Sequence, residues 1–291
     1  MKGLILTNAY YDAEAALYPA RRLKEELEAL GAAADVRRND FFPFAVEGGA
    51  LRSSLEGYGF CVYLDKDKYV LRALGLAGVP VFDKPEAIVT CDDKMLTFFA
   101  LAGQGVPMPD TLPGLLCYTP SASVREETLR AVEERFGYPV IVKESYGSLG
   151  KGVYLAENRA QLASVAEKVK CSAHLYQRFI AESRGRDVRA IVVGGRCVGA
   201  MLRRSGGDFR SNIGAGGRGE PYPVGEELRA VAERAARALD LDFCGVDLLF
   251  GPEGWLVCEV NSNAFFGEFE RVTGVNVARA YAAHILQTLR G

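Results

Sequence analysis

Histidine is scarce: the 291-residue chain has His174 and His284 and no others, and neither has a cysteine or carboxylate at zinc-site spacing. Zinc chemistry is therefore not expected, and any metal should be a hard ion held by oxygen. The seven cysteines (61, 91, 117, 171, 197, 244 and 258) form no C-x-x-C pair. An odd, dispersed set suits reduced thiols in a cytoplasm rather than a disulfide framework. No apolar run nears the ~18 residues of a membrane span. The start, "MKGLILTNAYYDAE", reaches Asp12 and Glu14 early and has no small-residue cleavage site, so no leader is expected. A net charge of −2 gives no electrostatic reason to expect nucleic acid or an anionic membrane as partner. Internal repeats and low-complexity segments are missing too.

What remains is an ordinary globular balance, 49% apolar and 25% charged, on a chain long enough for two or three units with their own cores. "GLILTNA", a helical pattern over Glu14–Leu30 and "AAADVRRN" read as strand–helix–strand, the opening of a parallel α/β sheet. "GFCVYLD", a helix over "KYVLRALGLAG" and "VPVFD" continue the alternation to about residue 88. Asn8, Tyr10, Asp65 and Lys66 follow strand ends, where ligands of such sheets bind, and a solvated loop explains them equally well. A helix with a capping start, "TCDDKMLTFFALAGQG", leads to the Pro-rich connector "VPMPDTLPG" and to helices near Ser123–Phe136 and Arg159–Lys170. From "AHLYQRFI" onward strands dominate, broken by a helix over Glu226–Leu239 and closed by one over Val277–Leu289.

Between those middle helices lies "KESYGSLGKGVYL". It is not a P-loop: Gly147 and Gly150 stand too close, and Gly152 follows Lys151 where a metal-binding hydroxyl belongs. Nor does Gly150-Lys-Gly152 supply the third glycine of a dinucleotide fingerprint. The β-branched and aromatic runs "YPVIVKES" and "GVYLAE" on either side predict a glycine-rich flap joining two strands.

A second signal is "GVDLLFGPEGWLVCEVN". Pro252-Glu253-Gly254 has the chemistry of a three-residue hairpin loop. That loop makes Gly251 face Trp255 and, counting back, sets Asp247 opposite Glu259 with Cβ atoms about 5 Å apart. Asn261 shares their face. Like charges across a strand pair are destabilising, so a cation between the two acids, or one proton, is expected. Two acid oxygens and an amide oxygen suit a hard cation such as Mg²⁺ completed by phosphate. A surface hairpin with solvated acids is the plain alternative.

These segments carry a family resemblance. "CDDKMLT", "YPVIVKESYGSLGKGVYL", "YQRFI", "GRDVRAIVVGG", "MLRRSGGDFRSN" and "GVDLLF…CEVNSN" follow in order from about residue 60 to the end. The chain resembles an ATP-grasp ligase, and closely the RimK-type L-glutamate ligases. The resemblance implies an α/β plus α+β ATP-grasp fold. Its parts would be a pre-ATP-grasp α/β domain (1–88), a central α+β subdomain with the flap (89–175) and a C-terminal α+β subdomain with the metal site (176–291). The flap becomes the lid over ATP. Lys94 and Lys143 would bind its phosphates, with Gly147, Ser148 and Gly150 covering them. Gln177, Arg178, Phe179 and Ile180 would read the adenine edge and Asp187 the ribose. Arg203 and Arg210 would be catalytic, facing the γ-phosphate and acyl group with Ser211 and Asn212. Asp247, Glu259 and Asn261 would hold Mg²⁺, with Mn²⁺ a substitute.

The residues agree with those roles on their own chemistry. Lys143 sits in an apolar strand where an unpaired ammonium is costly and a phosphate would relieve it. Lys94 stands at a helix start, the wrong end for a cation unless an anion is near. From Arg178 to Arg218 arginines outnumber acids threefold. Arg203 and Arg210 can each fork a phosphate or carboxylate, whereas Arg184, Arg186, Arg204 and Arg218 read as a basic surface.

The implied reaction is amide formation through an acyl phosphate, adding L-glutamate or a similar amino acid to a protein, coenzyme or small-molecule carboxylate acceptor. The implied protein is cytoplasmic and a homo-oligomer, dimer or tetramer. Arg203→Ala or Glu259→Gln is expected to abolish ligation and leave the fold intact. "SNAFFGEFERVTGVN" departs from the family's serine–proline–glycine run, which points to a different acid or amine. Two rival readings are a ligase that crosslinks a ribosomal precursor peptide and a non-catalytic ATP-binding regulator.

Overall fold

The computed structural model describes residues 1–148, 150–211 and 217–291. Its first unit grows from apolar runs that are buried on both faces, as parallel strands require. In chain order come β1 (Lys2–Thr7), α1 (Glu14–Ala29), β2 (Ala33–Arg38), the hairpin β3 (Phe44–Glu47) and β4 (Ala50–Ser53), β5 (Phe60–Tyr63), α2 (Lys68–Ala77) and β6 (Val81–Phe82). The strands β2-β1-β5-β6 form one parallel sheet, as the alternation predicts. The β3–β4 hairpin has no counterpart in the sequence reading.

The segment read as a single helix from "TCDDK" is two helices, α3 (Pro85–Asp92) and α4 (Lys94–Leu101). Asp93 separates them: its Oδ1 accepts the Met95 and Leu96 N–H groups at 2.8 and 3.1 Å, which caps α4 and stops α3. The middle sheet follows, with β7 (Thr111–Pro113), α5 (Glu126–Phe136), β8 (Val140–Glu144), β9 (Val153–Ala156), α6 (Arg159–Val169) and β10 (His174–Arg178). Its order is β7-β10-β8-β9, all antiparallel. Val140, Val142 and Tyr176 pack under Leu129, Phe136, Leu162 and Val169 of the two helices. The strand period then turns Ile141 and Lys143 to the other face.

The third unit has β11 (Arg186–Val193), β12 (Arg196–Arg204), β13 (Arg218–Tyr222), α7 (Glu226–Ala238), β14 (Phe243–Gly251), β15 (Gly254–Asn261), α8 (Gly267–Thr273) and α9 (Val277–Thr288). Its antiparallel order is β13-β12-β11-β14-β15. Val188, Ala190, Val246, Leu248 and Leu202 bury one face against Leu228, Ala232 and Ala235 of α7. The alternate residues Asp187, Arg189, Arg203 and Asp247 occupy the opposite face. Farther along that face, Ile191, Val193 and Phe243 share a core with Leu23 and Leu27 of α1 and Tyr281 and Ile285 of α9. Full burial of each such side chain stabilises by roughly 1.5–3 kcal/mol, so this shared core fixes the first sheet against the third.

The expected domain cuts at 88 and 175 fall inside α3 and β10. We propose cuts before α3 and after β10. No helix of the described residues is long and apolar enough to cross a membrane.

The β14–β15 hairpin corrects the sequence reading in detail. Gly251 pairs with Gly254 and Phe250 with Trp255, so the loop has two residues, Pro252 and Glu253, not three. Leu248 pairs with Val257 and Asp247 with Glu259, leaving Cys258 as an extra residue in a bulge. The bulge restores the Asp247–Glu259 pair that the longer loop was invoked to give.

Candidate active site

The flap between β8 and β9 arches over the open face of the middle sheet, opposite the charged face of the third. Two cations hold it. Lys94 Nζ donates to the Gly147 carbonyl at 2.8 Å, and Arg210 Nη1 donates to the Gly150 carbonyl at 2.9 Å. Gly147 has φ +136°, a conformation side chains resist, and a Cβ there would come within 3.2 Å of the Lys151 carbonyl.

Beneath the flap is a cleft of about 840 Å³ including its open mouth, within the size range of small-molecule sites. Lys94, Lys143, Gly147, Ser148, Gly150, Gln177, Arg178, Phe179, Ile180, Asp187, Arg203, Arg210, Ser211, Asp247 and Glu259 all line it. Asn261 lines a neighbouring cleft instead. Asn212 lies outside the described residues.

Lys143 is 6% exposed. Among the described residues its ammonium has one hydrogen-bond partner, the Cys258 sulfur at 3.4 Å. Burial pushes the Cys258 thiol up against the opposing pull of Lys143, so the sulfur offers no full negative charge at neutral pH. A buried ammonium with so weak a partner calls for an anion. Lys94 is buried too, at the first position of α4, and lies 3.4 Å from Glu259 Oε1. The helix-start misfit is thus met by a protein carboxylate and the flap carbonyl.

Arg203 Nε and Nη2 fork Asp187 at 2.6 and 2.5 Å, and Nη2 also reaches Asp247 Oδ2 at 2.9 Å. Arg189 forks Asp247 from the other side at 2.7 and 2.8 Å. Burial works to raise the Asp247 carboxyl, but Arg189 and Arg203 outweigh it and hold the group at about 2. Each acid thus meets a cation of the protein's own, Asp247 the two arginines and Glu259 the Lys94 ammonium. Asp187, read as a ribose partner, gives both oxygens to Arg203. Arg210 forks Asp208 at 3.1 and 2.7 Å. Gln177 donates to Thr111, and Arg178 binds Asp110 at the surface. The N–H groups of Phe179 and Ile180 have no partner among the described residues.

The donor set fits a hard divalent ion. Asp247 and Glu259 are cross-strand neighbours, and Asn261 turns its Nδ2 toward Asp247 at 3.4 Å, which leaves the amide oxygen as its open end. No group of three His, Cys, Asp or Glu that could hold a metal ion exists among the described residues. Two acids and an amide would leave the remaining positions to phosphate and water.

Sequence reasoning missed Arg189, and also Cys258 and Lys151, which line the flap-covered cleft. It also left undecided the strand-end residues Asn8, Asp65 and Lys66, which now line the neighbouring cleft with Arg189 and Asn261. Asn8 Nδ2 donates to Asp65 at 2.8 Å. Tyr10 is 92% exposed and takes no part.

This geometry has relatives. Residues 91–285 match the model of the RimK-like ATP-grasp domain. A beta-citrylglutamate synthase B of Danio rerio is 38% identical over 231 residues, 78% of this chain and 56% of that protein. The chain thus spans little more than half the length of that relative. A probable alpha-L-glutamate ligase of Maridesulfovibrio salexigens is 36% identical over 72% of this chain and 68% of its own length. Among solved structures, D-cycloserine synthetase DcsG superposes with a TM-score of 0.75 at 17% identity, covering 99% of this chain and 100% of that one. That last likeness speaks for the fold alone. With the family model covering most of its length, the chain belongs to the RimK-like ATP-grasp family.

Proposed function

We propose that the protein is an ATP- and Mg²⁺-dependent carboxylate–amine ligase. It joins L-glutamate or a similar amino acid to a carboxylate acceptor by way of an acyl phosphate. The observation that carries this reading is Lys143, a buried ammonium facing a flap-covered cleft with only a thiol beside it. The names of the relatives, synthases and glutamate ligases, support the same chemistry.

A free carboxylate is a poor electrophile, so it must be activated before an amine can attack. In the proposed sequence the acid's oxygen attacks the γ-phosphorus of ATP, and ADP leaves. The amine nitrogen then attacks the acyl carbon, phosphate departs and a proton is lost from nitrogen. Such phosphoryl transfer asks the protein for positioning and charge neutralisation more than covalent help. Lys143 and Lys94 supply positive charge at the phosphates. The Phe179 and Ile180 N–H groups, without a partner among the described residues, suit the adenine edge. Arg203 keeps Nη1 without a partner among the described residues, and that edge suits the transferred group. The flap, held by Lys94 and Arg210, keeps water from the acyl phosphate. A divalent ion held by Asp247, Glu259 and Asn261 would add charge neutralisation at the phosphate oxygens. The seven cysteines are all free thiols, in keeping with a reducing cytoplasm.

The test is ATP turnover by the intact chain with Mg²⁺, L-glutamate and a panel of carboxylate acceptors. Phosphate release and mass spectrometry of the amide give the readout. The expected result is one phosphate per amide formed. No binding of a non-hydrolysable ATP analogue in the presence of Mg²⁺ would sink the reading.

A further inference from the structure

The neighbouring cleft lies between the first unit and the third sheet and encloses about 1530 Å³ including its open mouth. Ser148, Arg203 and Glu259 line both clefts, so the two meet at the charged row. Tyr11, Leu64, Phe265 and Phe269 give the second cleft apolar walls. Arg189 lines this cleft and not the first.

Arg189 is in a singular position. It spends Nε and Nη2 on the two oxygens of Asp247, at 2.7 and 2.8 Å, yet its side chain remains 17% exposed. Asp247 has two arginines, and they are not equivalent. Arg203 keeps a second carboxylate, Asp187, whereas Arg189 has no other acid among the described residues. An acid cannot give the same lone pairs to a guanidinium fork and to a metal ion. Whatever takes Asp247 displaces the arginine with the fewest alternatives.

We propose that Arg189 is the carboxylate-binding residue of the second cleft, folded back onto Asp247 until a divalent ion takes that acid. The proposal rests on the ligase reading for the identity of Asp247 as a metal ligand. The freed fork then matches a substrate carboxylate in both shape and charge. Two consequences run in opposite directions. Arg189 competes with the metal, so its loss strengthens metal binding. Arg189 holds the substrate, so its loss weakens carboxylate binding.

The experiment uses the intact chain saturated with AMPPNP, with Mn²⁺ followed by electron paramagnetic resonance and L-glutamate by calorimetry. Arg189→Gln is expected to bind Mn²⁺ roughly 5–150-fold more tightly, the range of typical coupling between sites. The same variant should bind L-glutamate at least about tenfold more weakly, with partial recovery in Arg189→Lys. Wild type should bind L-glutamate at least about tenfold more weakly when Mn²⁺ is withheld. Unchanged or weaker Mn²⁺ binding in a folded Arg189→Gln chain overturns the proposal. So does L-glutamate binding that ignores the metal, or no L-glutamate binding at all. Failure of wild type to bind AMPPNP would count against the ligase reading, whereas AMPPNP binding with no effect at Arg189 counts against this inference alone.

Discussion

Arg203 lies between Asp187 and Asp247, bonded to both, with all three side chains at most 8% exposed. Burial disfavours the charged guanidinium, but the two carboxylates overcome that and raise its pKa above the ordinary arginine value. Removing one member of a buried ion group leaves the others uncompensated, at a cost of about 3–5 kcal/mol. Arg203→Ala should therefore lose that much stability in urea unfolding as well as losing ligation. To the expectation of an intact fold, made from sequence, the geometry adds this loss of stability. A variant as stable as wild type would mean that the triad is not formed in solution.

Glu259 is a different case. Its side chain is 31% exposed, and its one ion pair among the described residues is with Lys94 at 3.4 Å. Glu259→Gln leaves the buried Lys94 ammonium with the Gly147 carbonyl and no carboxylate, at a stability cost of roughly 1–3 kcal/mol. Phosphate release should fall on the order of 10²–10³-fold, as for loss of one transition-state charge contact. Thermal scans and a coupled phosphate assay separate the two effects. Near-normal turnover would place the metal elsewhere.

Lys143→Met keeps the volume of the stem and removes a buried charge whose partner is a thiol. The free protein should hold or gain stability. Nucleotide affinity should drop about 10–100-fold, the value of a charge-assisted bond of roughly 1.5–3 kcal/mol. Calorimetric titration with AMPPNP checks it. Equal affinity would show that the ammonium does not meet the phosphates.

Asp83 carries a pH signature. Its Oδ1 accepts the Asp242 and Phe243 N–H groups at 2.6 and 2.8 Å. Burial, aided by nearby Asp242 and Asp240, pushes its carboxyl well above the usual range. A raised acid binds its proton more tightly when folded, so stability falls as pH rises from the unfolded value of about 3.9 through the folded one. Above the folded value the whole penalty persists. Asp83→Asn keeps the accepting oxygen and cannot ionise. It should be more stable than wild type at pH 7, with the gap closing below about pH 4. Urea midpoints across pH give the comparison, and a gap constant with pH would refute it.

The sequence was most legible where chemistry is local. The flap shows because β-branched runs flank glycines, and both strands form with Lys143 opposite Val153. Asp93 shows as a cap, but the helix before it was hidden because α3 and α4 share an apolar pattern with one break. The Asp247–Glu259 pair was reached by two cancelling miscounts, a loop one residue too long and a ladder one residue too regular. Arg189 escaped notice for another reason. It meets Asp247 across β11 and β14, 58 residues apart, with β12, β13 and α7 between them in the chain. No periodicity within a segment reveals which distant strand will lie beside it. The second cleft is illegible for the same cause, since its two walls come from opposite ends of the chain.

The bulge at Cys258 gives the acid-bearing strand some slack. Deleting that residue would leave Leu248 beside Val257 and Asp247 beside Glu259, since neither pairing depends on it. The chain could thus shorten by one at this point while the apolar layer and the ion-binding end both stay in step. Only the sulfur next to Lys143 would vanish, and with it the one soft neighbour that this ammonium has before its anion arrives.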